Sequence, residues 1–205
     1  MPYMPSPKRK IARTEIVDCA IELISASGFA EFSVLKVAKA YGIRQSHLTY
    51  YFPTRSELMA AVADRLADRY AAFVEEWCRE ASAHPGHPIA YIIDQLVDDA
   101  VSPPTCVLFP ALWEAANQDP NVAKALDRIY QGAQRTMIVM LGVDPGAPSA
   151  APLWDLIRML GVVIEGTTAV YGRQDPDSPA VLALKQTVKA MMVPAFDRAL
   201  EQSPR

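Results

Sequence analysis

Three features of the 205-residue sequence predict an all-α fold. Its 17 prolines are clustered and leave long proline-free segments between them, and proline is poorly tolerated inside a helix. Within those segments apolar residues recur at intervals of three and four, the helical period. No segment alternates apolar and polar residues over the length of a strand, and no Asn-Gly hairpin turn occurs.

The elements follow in order. A helix is expected over 11–27, on the stripe Ile16, Val17, Ala20, Ile21 and Ile24, with Gly28 placed for a left-handed C-terminal cap. Ser33, a good N-cap residue, opens a short helix over 33–41, in which Val34, Val37, Ala38 and Tyr41 share one inward face. Gly42 breaks that helix and permits a sharp turn, which Ile43 can plug. The next helix, 45–51, belongs to the segment RQSHLTYYF, where only Leu48 and Phe52 fall on an inward stripe. A long helix over 54–81 begins after Pro53, with Leu58, Val62 and Leu66 on one side. Proline-marked breaks then separate helices over 88–101, 104–117, 121–141, 150–171 and 178–201, about nine in all. The 121–141 helix carries the stripe Leu126, Ile129, Tyr130, Ala133 and Met137. With no Ser/Gly-rich linker or repeat, the fourth helix is expected to join a small N-terminal module rigidly to a larger helical body.

Composition narrows the functional classes. Apolar residues make up 51% and charged residues 21%, a globular balance rather than a disordered one. The longest stretch without Asp, Glu, Lys or Arg runs from Ala100 to Trp113; it contains three prolines and is too short to span a bilayer. Lys8, Arg9, Lys10 and Arg13 stand where the apolar region of a secretory signal would begin, so a cytoplasmic protein is expected. Cys19, Cys78 and Cys106 are odd in number and set among apolar residues, as reduced thiols would be. Net charge is −3 overall, yet residues 1–60 alone carry +3. A basic end on an acidic body suggests one anion-binding end.

Two short helices at an angle around a glycine turn describe a helix-turn-helix over 33–52, whose second helix has the size and polarity to enter a major groove. From Gly28 to Val62 the stretch resembles the DNA-binding domain of the TetR family of transcriptional regulators. The matching positions are Gly28-Phe29, Ser33, Val37-Ala38, Gly42-Ile43, Leu48, Tyr50-Tyr51, Phe52, Arg55 and Leu58. Lys36 departs from a commonly acidic position, Thr49 from an aromatic, Tyr51 from a histidine and Arg55 from a lysine. The resemblance implies a DNA-binding domain over 10–70 and an effector-binding and dimerisation domain over 71–205.

The resemblance also implies roles. Ser33, Tyr50 and Tyr51 would hydrogen-bond phosphates, which sets position and affinity without reading sequence; for Tyr51 the alternative is packing within the domain. Gln45, Ser46 and His47 would face base edges, Arg44 would take guanine or a phosphate, and Thr49 and Arg55 would lie near the backbone. The Lys8-Arg9-Lys10 arm would follow phosphates or a minor groove, or serve as a solubilising tail. Double-stranded DNA with a palindromic operator is the implied partner, bound by a homodimer formed through helices 150–171 and 178–201. Those helices are rich in apolar residues, including Leu156, Leu160, Val163, Ile164, Leu182, Leu184, Val188, Met191 and Met192.

The central helices would enclose a small-molecule effector, and their aromatic and Met content points to an apolar or aromatic one. Candidate ligand-binding residues are Phe109, Trp113, Met137, Trp154, Arg158 and Glu165, with ordinary core as the alternative. Arg158 and Glu165, seven apart on one helix face, suit a polar ligand, a pair across the dimer, or solvent. Asn117, in WEAANQDP, is a plausible helix cap. His84 and His87 lie in HPGHP, a proline-rich loop with no nearby third metal ligand. No cofactor, metal site or catalytic constellation is expected, and the chain reads as a ligand-responsive repressor rather than an enzyme. The competing reading is a helical small-molecule carrier or enzyme whose N-terminal module no longer reads DNA.

Overall fold

The computed structural model describes residues 7–28 and 32–202, with side chains from Ala12 onward. The described residues form nine α-helices and no strand: α1 Pro7–Ser27, α2 Val34–Tyr41, α3 Gln45–Tyr51, α4 Arg55–Ala83, α5 Pro88–Val101, α6 Pro103–Ala116, α7 Pro120–Met140, α8 Ala151–Tyr171 and α9 Pro179–Glu201. A 3₁₀ turn, Pro148–Ala150, precedes α8. The all-α expectation holds, and boundaries fall within a few residues of those read from the prolines. The largest difference is α1, which begins at Pro7 rather than at 11. Proline suits the first turn of a helix, because its missing N–H would have no partner there. Pro88, Pro103, Pro120 and Pro179 start helices in the same way.

Local chemistry accounts for most ends. Ser178 Oγ accepts the Val181 N–H at the start of α9. His87 does the same for α5, its Nδ1 accepting the Ile89 N–H at 3.2 Å while Nε2 lies 2.9 Å from Asp197. The HPGHP loop is thus a helix cap. The cap of α7 is Asp119, whose carboxylate accepts the Asn121 N–H at 2.9 Å. Asn117, expected in that role, still belongs to the end of the preceding turn, where its N–H bonds the Trp113 carbonyl.

The chain divides into two compact units. The first comprises Met1–Asp68 and Val107–Asp127; the second comprises Arg69–Cys106 and Arg128–Arg205. One boundary of these units lies near residue 70, and 107–127 groups with the N-terminal unit. The first unit has its own core, with Ile16, Ile24, Val37, Leu48, Phe52, Leu58 and Val62 fully buried together with Leu112 and Val122. Its α1 and α4 are tied by a forked ion pair, Arg65 Nε to Asp18 at 2.9 Å and a second guanidinium nitrogen to the other carboxylate oxygen at 3.2 Å. In the second unit α5 packs against α8 and α9, which also pack on each other. Its core is built on Ile89, Ile92, Ile93, Ile138, Leu153, Val181 and Phe196. Two lysines of α9 cross to acids of α5, Lys185 to Asp98 at 2.5 Å and Lys189 to Asp94 at 2.7 Å. Among the described residues, no helix is long and apolar enough to cross a membrane.

Candidate nucleic-acid interface and ligand cavity

Ser33 has extended backbone and its Oγ accepts the Lys36 N–H at 3.2 Å, so this residue starts α2 as its N-cap. Val37 and Ala38 bury the inner face of α2. At its end Gly42 takes φ 80°, ψ 26°, the left-handed conformation. The Gly42 N–H then reaches the Lys39 carbonyl and the Ile43 N–H the Ala38 carbonyl, at 3.2 and 2.9 Å. These paired bonds are the Schellman arrangement, which satisfies carbonyls left open at a helix end. The chain turns sharply there, and Arg44 begins α3 in extended backbone without a side-chain cap.

Along α3 the sequence sorts itself by depth. Leu48 and Phe52 are 0% exposed and anchor the helix to the core. Arg44, Gln45, Ser46, His47, Thr49 and Tyr50 are exposed, and Tyr51 is half-buried. Thr49 Oγ1 donates to the Gln45 carbonyl at 2.8 Å, so its hydroxyl hydrogen is engaged within the helix. Tyr51 packs against two neighbours, its ring 5.7 Å from that of His47 and 5.4 Å, edge-on, from that of Tyr50. Its carbonyl accepts from Arg13, whose guanidinium also lies 4.4 Å from the centre of the Phe52 ring. Tyr50 projects into solvent at 58% exposure. Gly42, Ile43, Arg44, Ser46, His47 and Tyr50 line an open concavity on this face. At the start of α4, Thr54 Oγ1 accepts the Glu57 N–H at 3.1 Å. The Arg55 guanidinium lies 5.1 Å from the centre of the Phe32 ring. Ser56 donates to Asp119, and that bond, with the α7 N–H groups, holds the Asp119 carboxyl below the usual range.

The expected interface residues therefore gather around one turn and one helix face. An exposed row of hydrogen-bonding side chains on a helix anchored from beneath can meet phosphates and base edges. Phe29 and the side chains of Lys8, Arg9 and Lys10 lie outside the described residues. Tyr41 was not singled out for a polar role, yet its hydroxyl donates to Glu15 at 2.5 Å and joins α2 to α1. That carboxylate pushes the phenol up to about 12.

A cavity of about 60 Å³, partly open to solvent, lies within the second unit. Of the six candidates Met137 and Glu165 line it, together with Tyr70, Leu96, Tyr130, Ala133, Gln134, Ile157, Leu160, Gly161 and Ile164. The other four candidates stand elsewhere. Phe109 and Trp113 face each other across 6.4 Å in the 107–127 segment of the first unit. Trp154 donates its indole N–H to the Pro145 carbonyl at 3.1 Å. Arg158 is exposed, with its guanidinium on Asp155 at 3.2 Å and over the Trp154 ring at 5.7 Å. Tyr70 and Gln134 were missed. The spacing of Tyr130, Gln134 and Met137 on α7, and of Ile157, Gly161 and Ile164 on α8, carried a signal for one shared face. Burial raises the Glu165 carboxyl, a Tyr130 hydrogen bond partly offsets this, and the Asp99 charge raises it further. Burial likewise raises Asp99, against a hydrogen bond from Thr105.

Residues 16–62 match the family model described as bacterial regulatory proteins, tetR family. That span includes the whole of α2, the Gly42 turn and α3. No curated protein matches the chain by sequence. Solved structures share its fold at low identity. A TetR-family transcriptional regulator from Mesorhizobium loti MAFF303099 superposes with a TM-score of 0.71 at 13% identity, covering 94% of this chain and 98% of its own. A TetR-family regulator from Streptomyces coelicolor gives 0.64 at 18% identity, over 98% and 92%. The multidrug binding protein EbrR, solved with ethidium, gives 0.65 at 17% identity, over 91% and 99%. Residues 16–62, with the helix-turn-helix they contain, therefore match the bacterial tetR-family regulatory module, and the all-helical fold is shared along nearly the full length with solved structures of TetR-family regulators.

Proposed function

We propose that the protein is a homodimeric repressor that reads a palindromic operator through α3 and releases it when a small molecule occupies the cavity of the second unit. The observation that carries the DNA reading is the division of α3. Leu48 and Phe52 are fully buried, while Gln45, Ser46, His47 and Tyr50 stand exposed beside the Gly42 turn. In this reading Gln45, Ser46 and His47 meet base edges. Ser33, Tyr50, Tyr51 and Arg55 meet the backbone, Arg44 takes guanine or a phosphate, and Thr49 contributes shape. Residues 10–70 act as the DNA-binding domain and 71–205 as the effector and dimerisation domain, working in the cytoplasm as a binding protein rather than an enzyme.

A second copy is needed because one module buries too little surface for tight specific binding. The dimer forms through α8 and α9, where Met159, Val162, Val170, Leu182 and Met191 are exposed large apolar side chains. Of the residues expected there, Leu160, Val188 and Met192 instead fill the core of their own subunit. EbrR, which shares the fold, holds a small molecule. Here the free volume of about 60 Å³ is small for a drug-sized ligand. An effector that needs more room binds a widened state better, and this differential affinity shifts the population. One helix, α4, carries Arg55 at its start and Tyr70 in the cavity. DNA and effector should weaken each other's binding by the same factor.

Selection of duplex DNA from a random pool, followed by fluorescence anisotropy, tests the reading. A palindrome bound two chains per site, with binding weakened by Gln45→Ala/Tyr50→Phe, is expected. Weak binding with no enriched sequence, unchanged by those substitutions, would refute it. Val162→Glu should yield a monomer by light scattering and lose operator binding without unfolding.

A further inference from the structure

We infer that the cavity of the second unit selects a positively charged ligand, an alkylammonium or arylammonium ion whose head group pairs with Glu165. The inference rests on the proposal that this cavity is the effector site, and adds the charge its occupant must carry.

Leu96, Ala133, Met137, Ile157, Leu160 and Ile164 make most of the lining apolar. Among the described residues Glu165 is the one carboxyl in the lining, and no described lysine, arginine or histidine lines the cavity. The neighbouring charge acting on Glu165 is that of a second acid, Asp99. Arg158, on the same helix as Glu165, is held by Asp155, and Lys185 and Lys189 of α9 are held by Asp98 and Asp94 of α5. Tyr130 donates a hydrogen bond to Glu165, which orients the carboxyl without supplying a positive charge. Removing a carboxylate from water is costly unless an opposite charge replaces the lost hydration. A bound cation supplies that charge, whereas a neutral ligand leaves the cost uncompensated and an anion adds repulsion from both acids. Tyr70 and Tyr130 are also in the lining, and an aromatic ring attracts an ammonium group placed over its face.

Size limits the choice further. A cavity of about 60 Å³ is well short of the roughly 150 Å³ that holds a benzene ring. The head group therefore enters first, and a slender chain is accommodated more readily than a fused ring system.

The test uses three probes of equal length, hexylammonium, hexanol and hexanoate, titrated into the full-length protein at neutral pH. The readout is the ¹³C-methyl NMR signal of Met137, which lines the cavity. Hexylammonium should bind roughly tenfold or more tightly than hexanol, the scale of a charge-assisted hydrogen bond, and hexanoate should bind most weakly. Glu165→Gln should abolish the preference for ammonium, and hexanol binding that is still detectable shows that the variant folds. Should that variant fail to fold, Glu165→Asp should reduce the preference in part by withdrawing the carboxylate. Equal binding of hexanol and hexylammonium, or a preference that survives Glu165→Gln, would overturn the charge assignment while leaving the cavity as the effector site. No Met137 response to any probe would overturn both.

Discussion

Replacing Gly42 by alanine isolates the backbone conformation on which the helix-turn-helix depends. Gly42 sits at φ 80°, ψ 26°, and a Cβ added there would meet no heavy atom within 4 Å. Packing therefore contributes nothing, and the effect of the substitution is conformational. An L-residue in the left-handed region costs about 1–2 kcal/mol. Alanine offsets part of this, because it restricts the unfolded chain more than glycine by roughly 0.4–1 kcal/mol. The expected net loss is about 1 kcal/mol, close to a fivefold change in the unfolding constant. Urea denaturation followed by circular dichroism measures it, and Gly42→Asn should lose less, because asparagine tolerates this conformation. D-alanine, introduced by semisynthesis, has the matching handedness and should stabilise the protein by a similar amount. An L-alanine variant as stable as wild type, or a D-alanine variant as damaged as the L form, would refute the left-handed turn. A loss well above 3 kcal/mol would mean that the Cβ meets something, contrary to the open space around Gly42.

Phe52→Ala should cost about 3–5 kcal/mol, because its ring is fully buried beneath α3; DNA binding should disappear with the near-ultraviolet signal of the N-terminal unit. Tyr50→Phe should weaken operator binding about tenfold or more, the value of one hydrogen bond to a charged group, without changing the slope of log K against log salt. Arg44→Ala should lower that slope by about one phosphate equivalent if Arg44 grips the backbone; an unchanged slope with relaxed sequence preference would place it on a base. Tyr41 should ionise near 12 in an ultraviolet titration and return toward 10 in Glu15→Gln. Its native value lies above the unfolded one, so the stability it adds is fully present below pH 10 and is lost as pH rises toward 12.

The geometry of the candidate interface was legible in the sequence because its determinants are local. A cap at Ser33, a glycine at 42 and two inward residues four apart, Leu48 and Phe52, act over a few residues and leave a recognisable order of letters. The polar row on α3 follows from the same spacing, since whatever is not inward on so short a helix faces out. The cavity was legible only in part. Met137 and Glu165 line it, whereas Phe109 and Trp113, candidates alongside them, stand in the first unit. Helical period tells that a side chain faces inward; it does not tell which core receives it. Arg158 and Glu165 make the same point on one helix. Seven residues apart, they share a nominal face, yet Arg158 is solvated on Asp155 and Glu165 is desolvated beside Tyr130.

The sequence by itself determined the helices of the described residues, the turn between α2 and α3 and the chemistry displayed on α3. Capping, proline geometry and amphipathic spacing are settled by residues within a turn or two of one another. The tertiary structure alone decided that Val107–Asp127 joins the N-terminal unit, that Asp119 bonds Ser56, and that an acid without a basic partner in the lining faces a cavity also lined by Tyr70 and Tyr130. Those outcomes depend on which helices meet. The groups concerned lie tens of residues apart, so a carboxylate's environment is set by neighbours that no local pattern in the chain specifies.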